Sequence, residues 1–293
     1  MSKQKTSEVR SWWDSHPFAF GVTNTKHDQV GTIAHDLMDK SYFDQVERRF
    51  RKHHRFAAQA DGAPVLSNLV DYTTLKDKKV LDIATGSGFI AVSLAAAGAD
   101  VTAIDLTPFA VAHAKKNFEV RGLTGTVQEA DAQQMPFADS TFDSVIAWGC
   151  LMHMPRTEDA IREMARVTKK GGTAVAYMYN RSSWPFWFNI IFLRGILMLG
   201  LLRFGFNITR LTSRYSDGYS EGGNPLTKFY TPAEVGVMFK DAGYTTVVSE
   251  PWRLPEEPNN WPLRSAPFFK YVPASIKKWM TNYGYGIIVT ATK

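Results

Sequence analysis

The side chains best suited to chemistry lie between Asp82 and His153. The run Val80 to Gly88, VLDIATGSG, sets a glycine-containing turn between a buried apolar strand and a helix that begins near Phe89. In such a turn, backbone N–H groups and the helix N-terminus face a ligand, and missing side chains let it approach closely. Asp105 ends the next strand, where a carboxylate can accept hydrogen bonds from both hydroxyls of a ribose. Together these residues describe a site for a nucleoside-containing ligand. Gly86, Gly88 and Ala91 also satisfy G-x-G-x-x-A, so an NAD(P)-dependent oxidoreductase competes on the motif alone.

Three features weigh towards S-adenosylmethionine. Asp82 is an acid at the end of the first strand, Asp131 follows the third strand in EADAQQMPF, and the last strand of the sheet reads as reversed. Asp82 suits the amino group of a methionine part, and Asp131 the exocyclic amine of adenine. Either acid alone could equally cap a helix or turn; the ordered set is what points to the cofactor.

Methyl transfer needs an aligned acceptor lone pair, and a base only where the acceptor must lose a proton. His153, in GCLMHMP just past the fourth strand, is the candidate base, and its alternative is a histidine that bonds the backbone and shapes the loop. His16, in SWWDSHPFAF, and Tyr42 rank second, because an N-terminal cap would close over the donor. Trp12, Trp13, Phe18 and Phe20 would then supply apolar, cation-attracting walls, or else simply pack the N-terminal helix. The adjacent His53 and His54 point in different directions on a helix, so no metal is expected.

The elements that must position these groups are plain in the pattern. KKVLDI, GADVTAID, GTVQEAD, FDSVIAW and GGTAVAYMY read as near-continuous apolar strands separated by helices, which means a parallel sheet covered on both faces. Thr107 before Pro108 marks a helix start. In TPAEVGVMFKDAGY, Thr231 caps, Pro232 starts, Glu234 completes a capping box and Gly243 stops the helix. TTVVSE and YGIIVTATK follow as a sixth strand and an antiparallel seventh. The expected fold is α/β, doubly wound, with a mainly parallel seven-stranded sheet, an antiparallel last strand and an α-rich cap or lid.

That reading divides the chain into a helical cap over residues 1–72, a Rossmann-like core over 73–180, a hydrophobic lid insertion over 181–229, and a completion of the sheet over 230–293 with a cap segment inserted at 251–283. Every tryptophan but Trp148 lies outside the core strands, which suggests aromatic closure over the open edge of the sheet, where such folds bind ligands. The segment SYFDQVERRFRKHHRF places Phe43, Val46 and Phe50 on one face of an amphipathic helix.

Within the insertion, WPFWFNIIFLRGILMLGLLRFGF approaches the length of a membrane span. Arg194 and Arg203 would face opposite sides of one continuous helix, so a lid broken near Gly195 or Gly200 is favoured over peripheral membrane contact through 184–206 or an oligomer contact. A single cysteine, Cys150, excludes an internal disulfide framework and fits a reducing compartment. The start, MSKQKTSEVRSWW, carries no signal-like apolar run, so cytoplasmic residence is the expectation, with membrane association left open. Net charge is +6, yet residues 179 to 293 hold 13 basic against 7 acidic side chains, too mild an excess to require a nucleic-acid partner. A nucleic-acid methyltransferase stays as an alternative, although the fourth strand ends in AWGCLMHMP without an N-P-P-Y element, and no aromatic stripe runs between the basic residues.

VLDIATGSG, VTAIDLTPFAVAHAKKN, EADAQQMPFADSTFDSVIAWGCLMHM and GGTAVAY, in this order, resemble the class I methyltransferases of the UbiE/UbiG and type 11 group. The resemblance implies that Asp82, Ala84, Gly86 and Gly88 line the methionine end of S-adenosylmethionine, Asp105 binds its ribose, Leu106 packs on adenine, and Asp131 with Ala132 contacts the base. Trp148 would lie near the sulfonium. Ala84 departs from the family, which more often has glycine there. The expected activity is methylation of a small, hydrophobic or aromatic acceptor of natural-product, quinone-like or lipid-like kind.

Overall fold

A computed structural model describes residues 2–17, 38–53, 63–216, 223–252, 271, 273–275 and 284–293. Phe18, Phe20, His54 and most of the 251–283 segment lie outside the described residues. Seven strands form one sheet: β1 Lys79–Ile83, β2 Asp100–Asp105, β3 Thr126–Glu129, β4 Phe142–Trp148, β5 Thr168–Tyr179, β6 Thr246–Pro251 and β7 Gly286–Thr292. Their spatial order is β3-β2-β1-β4-β5-β7-β6, and β7 alone runs against its neighbours, antiparallel to both β5 and β6. The expected mixed sheet with a reversed last strand is the one observed.

The chemistry of β1 explains its place in the centre of the parallel half. Val80, Leu81, Asp82 and Ile83 are all buried, so both faces of the strand must be covered. One face carries α2 Lys40–His53, α3 Phe89–Ala96 and α4 Pro108–Arg121, with Phe43, Val46 and Phe50 of α2 in the same apolar cluster as Ile90, Leu94 and Phe118. The other face carries α5 Thr157–Val167 and α8 Pro232–Asp241 through Ile161, Met164, Val235 and Phe239.

Local signals in the sequence set the helix ends. The Thr107 side chain accepts from the Ala110 N–H at the start of α4, and Gly122 ends that helix in the left-handed region. At α8, the Thr231 and Glu234 side chains cap each other's backbone as the pattern requires. Each such cap contributes on the order of 1 kcal/mol.

Two additions flank this core. α1, Ser2–Ser15, lies against the sheet end near β2 and β3 and buries a single hydrophobic residue, Val9. The insertion after β5 begins as a widely wound π-helix, Phe186–Leu197, and breaks at Met198–Leu199, where Leu199 takes φ 55°. It continues as α6 Gly200–Arg203 and α7 Ile208–Tyr215. Gly200 permits the fold-back, since a Cβ there would sit 2.4 Å from the Arg194 carbonyl and 2.8 Å from Leu211. The break therefore falls between the two glycines of the sequence reading.

Candidate active site

A cleft opens at the C-terminal ends of β1, β2 and β3, where doubly wound sheets bind ligands. Its walls are Ile83 and Ala84 after β1, Ile104 to Leu106 after β2, Ala130 to Gln133 after β3, Met154 and Pro155, and Thr6 and Val9 of α1. Ala84, Asp105, Leu106, Asp131 and Ala132, chosen from the sequence, are all brought together here.

The glycine turn is held from three sides. Asp105 is buried, and its Oδ2 accepts from the Gly86 N–H at 3.1 Å while Oδ1 accepts from the Thr107 N–H and hydroxyl at 3.0 and 3.1 Å. Asn117 of α4, fully buried, donates from Nδ2 to the Ser87 carbonyl at 2.8 Å. The Thr85 hydroxyl donates to Asp82 Oδ2 at 2.6 Å. Gly86 has φ 55° and open space where a Cβ would stand, whereas at Gly88, φ 75°, a Cβ would press Ala114 at 3.0 Å. The first glycine leaves room for a ligand; the second lets α3 and α4 approach. Ala84 also adopts φ 55°, a region that costs an L-residue roughly 1 to 2 kcal/mol.

Both acids of the turn are electrostatically unsettled. Burial pushes the Asp82 carboxyl up to about 7, opposed by the Thr85 hydrogen bond and reinforced by the Asp105 charge. Burial also raises Asp105, against hydrogen bonds from Thr107 and Gly86 that favour its ionised form. Asp105 lines the cleft while Asp82 is buried just behind its wall, and two carboxylates so close to one turn suit a ligand that brings an ammonium and hydroxyl donors. The residues present thus fit S-adenosylmethionine on their own chemistry. Cys150, close by, donates its thiol to the Ile83 carbonyl at 3.7 Å, and burial pushes that thiol up, so it is no nucleophile at neutral pH.

α1 roofs the cleft by polar links. Arg10 pairs with Glu129 at 2.6 Å, Asp14 accepts from the Phe109 N–H at 3.2 Å, and Thr6 lies 3.5 Å from the Gln133 amide. Asp131 Oδ1 accepts from both the Gln133 N–H and its side-chain amide, at 2.8 and 3.0 Å. The sequence reading missed Thr6, Val9, Gln133 and Asn117. Thr6, Val9 and Trp13 do recur at helical spacing, which marks one face of α1. Asn117 carries no such signal, because a polar residue in a helix ordinarily faces water.

Beyond the cleft, a short 3₁₀ turn, Leu151–His153, presents His153. Its Nδ1 lies 2.9 Å from the Leu226 carbonyl. A carbonyl only accepts, so Nδ1 carries the proton and, in the neutral ring, Nε2 holds the lone pair. Trp13 meets the His153 ring edge-on at 5.2 Å and Tyr179 at 5.9 Å. Trp148 stacks on Tyr177 at 5.0 Å. His16 stacks on Trp12 at 4.5 Å, and its Nδ1 lies 2.9 Å from the Trp12 carbonyl. Tyr42, by contrast, packs beside Phe43 and His113, in the cluster between α2 and α4, rather than on the cleft wall. A large aromatic ring on the apolar face of α2 is drawn into the core with its neighbours.

The chain is similar to known proteins. Residues 81–176 match the methyltransferase domain family. A demethylmenaquinone methyltransferase from Streptomyces avermitilis is 30% identical over 177 residues, 60% of this chain and 71% of the relative. The chain belongs to the class I SAM-dependent methyltransferases. The dinucleotide reading of the glycine turn falls with that assignment. A ubiquinone biosynthesis O-methyltransferase from Pseudomonas fluorescens is 29% identical to this methyltransferase over 76% of its chain and 85% of the relative. An uncharacterised Mycobacterium bovis protein reaches 43% identity, but over only 32% of this chain and 35% of its own length. The same backbone fold occurs in a crystal structure of a SAM-dependent methyltransferase from Methanosarcina mazei, with a TM-score of 0.52 and 20% identity over 78% of this chain and 97% of that one.

Proposed function

We propose that the protein transfers a methyl group from S-adenosylmethionine to a small hydrophobic or aromatic acceptor, of which a quinone-like phenol is the leading kind. The observation that carries this reading is the aromatic mouth around His153, formed by Trp13 and Tyr179 beside the cleft. Aromatic faces receive a flat apolar acceptor and also attract the positive charge of a sulfonium. Relatives named for ubiquinone biosynthesis and demethylmenaquinone methylation support the quinone-like acceptor.

S-adenosylmethionine, when bound, supplies an electrophilic methyl group on its sulfonium. Asp82 would hold the methionine ammonium at the floor of the cleft, with the turn from Ala84 to Gly88 beside it. Asp105 would accept from the ribose, Leu106 would pack against adenine, and Asp131 with Ala132 would read its edge. Trp148 would wall the reacting end. His153, held by the Leu226 carbonyl in the tautomer whose Nε2 accepts, would take the proton of an acceptor hydroxyl. His16 and Trp12 would close the outer wall from α1.

The test is His153→Ala, assayed against phenolic and catecholic acceptors with S-adenosylhomocysteine affinity followed in parallel. The expected result is a roughly 10²-fold or greater fall in turnover with an altered pH–rate profile and unchanged cofactor affinity. An unaltered rate and profile return His153 to a purely loop-shaping role.

A further inference from the structure

Of the thirteen large hydrophobic side chains that stand exposed among the described residues, ten lie between Trp187 and Ile208. Leu197, Met198, Leu199 and Leu202 are each about 60% exposed and Phe206 is 68% exposed, around the break between the π-helix and α6. These are not core residues left loose. The inward side of the same insertion already has its own cluster, in which Phe186, Ile190 and Leu211 bury against Phe229. The outer side is a second apolar face, left exposed among the described residues and larger than the scattered apolar residues a soluble surface ordinarily shows.

Its charge is one-sided. From Arg181 to Ser216 there are five arginines, at 181, 194, 203, 210 and 214, and no aspartate or glutamate. Arg203 and Arg210 are exposed beside the apolar tip. No described helix is long and apolar enough to cross a membrane, and the insertion turns back at Leu199. Apolar side chains at a turned-back tip, flanked by arginines without acids, are the composition of an element that lies in the headgroup layer of an anionic bilayer. A symmetric contact between two copies would instead set the exposed Arg203 and Arg210 against themselves, with no acid among the described residues 182–216 to pair them.

We propose that the insertion, through its 196–208 tip, docks the protein on the surface of an anionic lipid bilayer. The consequence for the site is positional. A chain of rings runs from His153 to Tyr179 at 5.9 Å, to Phe229 at 5.3 Å and to Phe186 at 4.9 Å, so the docked element is joined to the surroundings of His153 through two intervening rings. Docking does not depend on the identity of the methyl acceptor, and it stands or falls separately from it.

The experiment is sedimentation of the full chain with phosphatidylglycerol–phosphatidylcholine vesicles and with phosphatidylcholine vesicles, for the wild type and for Leu197→Glu/Leu202→Glu. Both leucines are exposed, so the variant retains the fold, checked by its calorimetric affinity for S-adenosylhomocysteine. The proposal expects salt-sensitive binding to the anionic vesicles, at least tenfold weaker binding to the neutral ones, and at least tenfold loss in the variant. Absence of wild-type binding overturns it, as does binding that the variant retains. A wild-type dimer that the variant dissolves, with no lipid binding, overturns it in favour of a second copy of the chain.

Discussion

The cleft and the insertion both follow the C-terminal ends of parallel strands and solve opposite problems there. In the cleft, polar groups are buried and directed: Asp105 and Asn117 spend their hydrogen bonds on the backbone of the glycine turn, and α1 is tied across the opening by charge. In the insertion, apolar groups are exposed and undirected, around a small cluster of their own. A pocket for a polar nucleotide needs donors and acceptors held in place before the ligand arrives, because mobile ones would lose their advantage to water. A face meant for an apolar phase needs area and charge sign but little geometry.

The largest test of that contrast is Asp105→Ala. It removes the buried carboxylate and releases Gly86 and Thr107 together, so S-adenosylhomocysteine affinity should fall more than tenfold in calorimetry, at roughly 1.5 to 3 kcal/mol per charge-assisted bond. Leu197→Glu/Leu202→Glu should leave the same affinity unchanged; a loss of affinity in a variant whose melting temperature is unaltered would mean the two regions are coupled.

Next comes pH. The folded Asp82 carboxyl, at about 7, lies above its ordinary value, so the unliganded protein holds more protons folded than unfolded across that window. Its contribution to stability is therefore fully present at acid pH and is lost as pH rises through 7. An ammonium ligand reverses the preference, so binding should release a proton. Affinity should fall below about pH 7 by up to roughly tenfold per pH unit, a dependence that Asp82→Asn abolishes while raising the melting temperature more at about pH 8 than at about pH 5.

A smaller effect is expected from Arg10→Ala. The Arg10–Glu129 pair is partly exposed and is worth at most about 1 kcal/mol, so cofactor release should quicken by roughly two- to fivefold in stopped flow with little change in the melting temperature. No change in release would mean that Thr6, Val9, Trp13 and Asp14 hold α1 without the ion pair. The smallest expected shift belongs to Ala84→Gly, which frees a residue held at φ 55° and should raise stability by about 1 kcal/mol or less in denaturant melts. A loss of stability would show that the alanine methyl packs usefully against the turn.

Much of the cofactor half was legible before any coordinates. Strand, glycine turn and acid at the next strand end follow one another closely, and each is set by neighbours in sequence, as the caps at Thr107 and Thr231 show. The insertion was half legible: its apolar length and its break could be read, but which face would be covered could not, since both faces are apolar. Tyr42 went into the core because its place on the apolar face of α2 outweighed its chemistry.

By itself, then, the sequence determined the class of sheet, the reversed last strand and the placing of the candidate cofactor residues at strand ends, because those depend on periodicity, capping and turn chemistry over short stretches. Only the tertiary structure decided that α1 roofs the cleft, that Asn117 steadies the glycine turn, and that the Leu226 carbonyl sets the His153 tautomer. Each of those rests on a contact between residues far apart in the chain, whose pairing is fixed by packing and leaves no local trace.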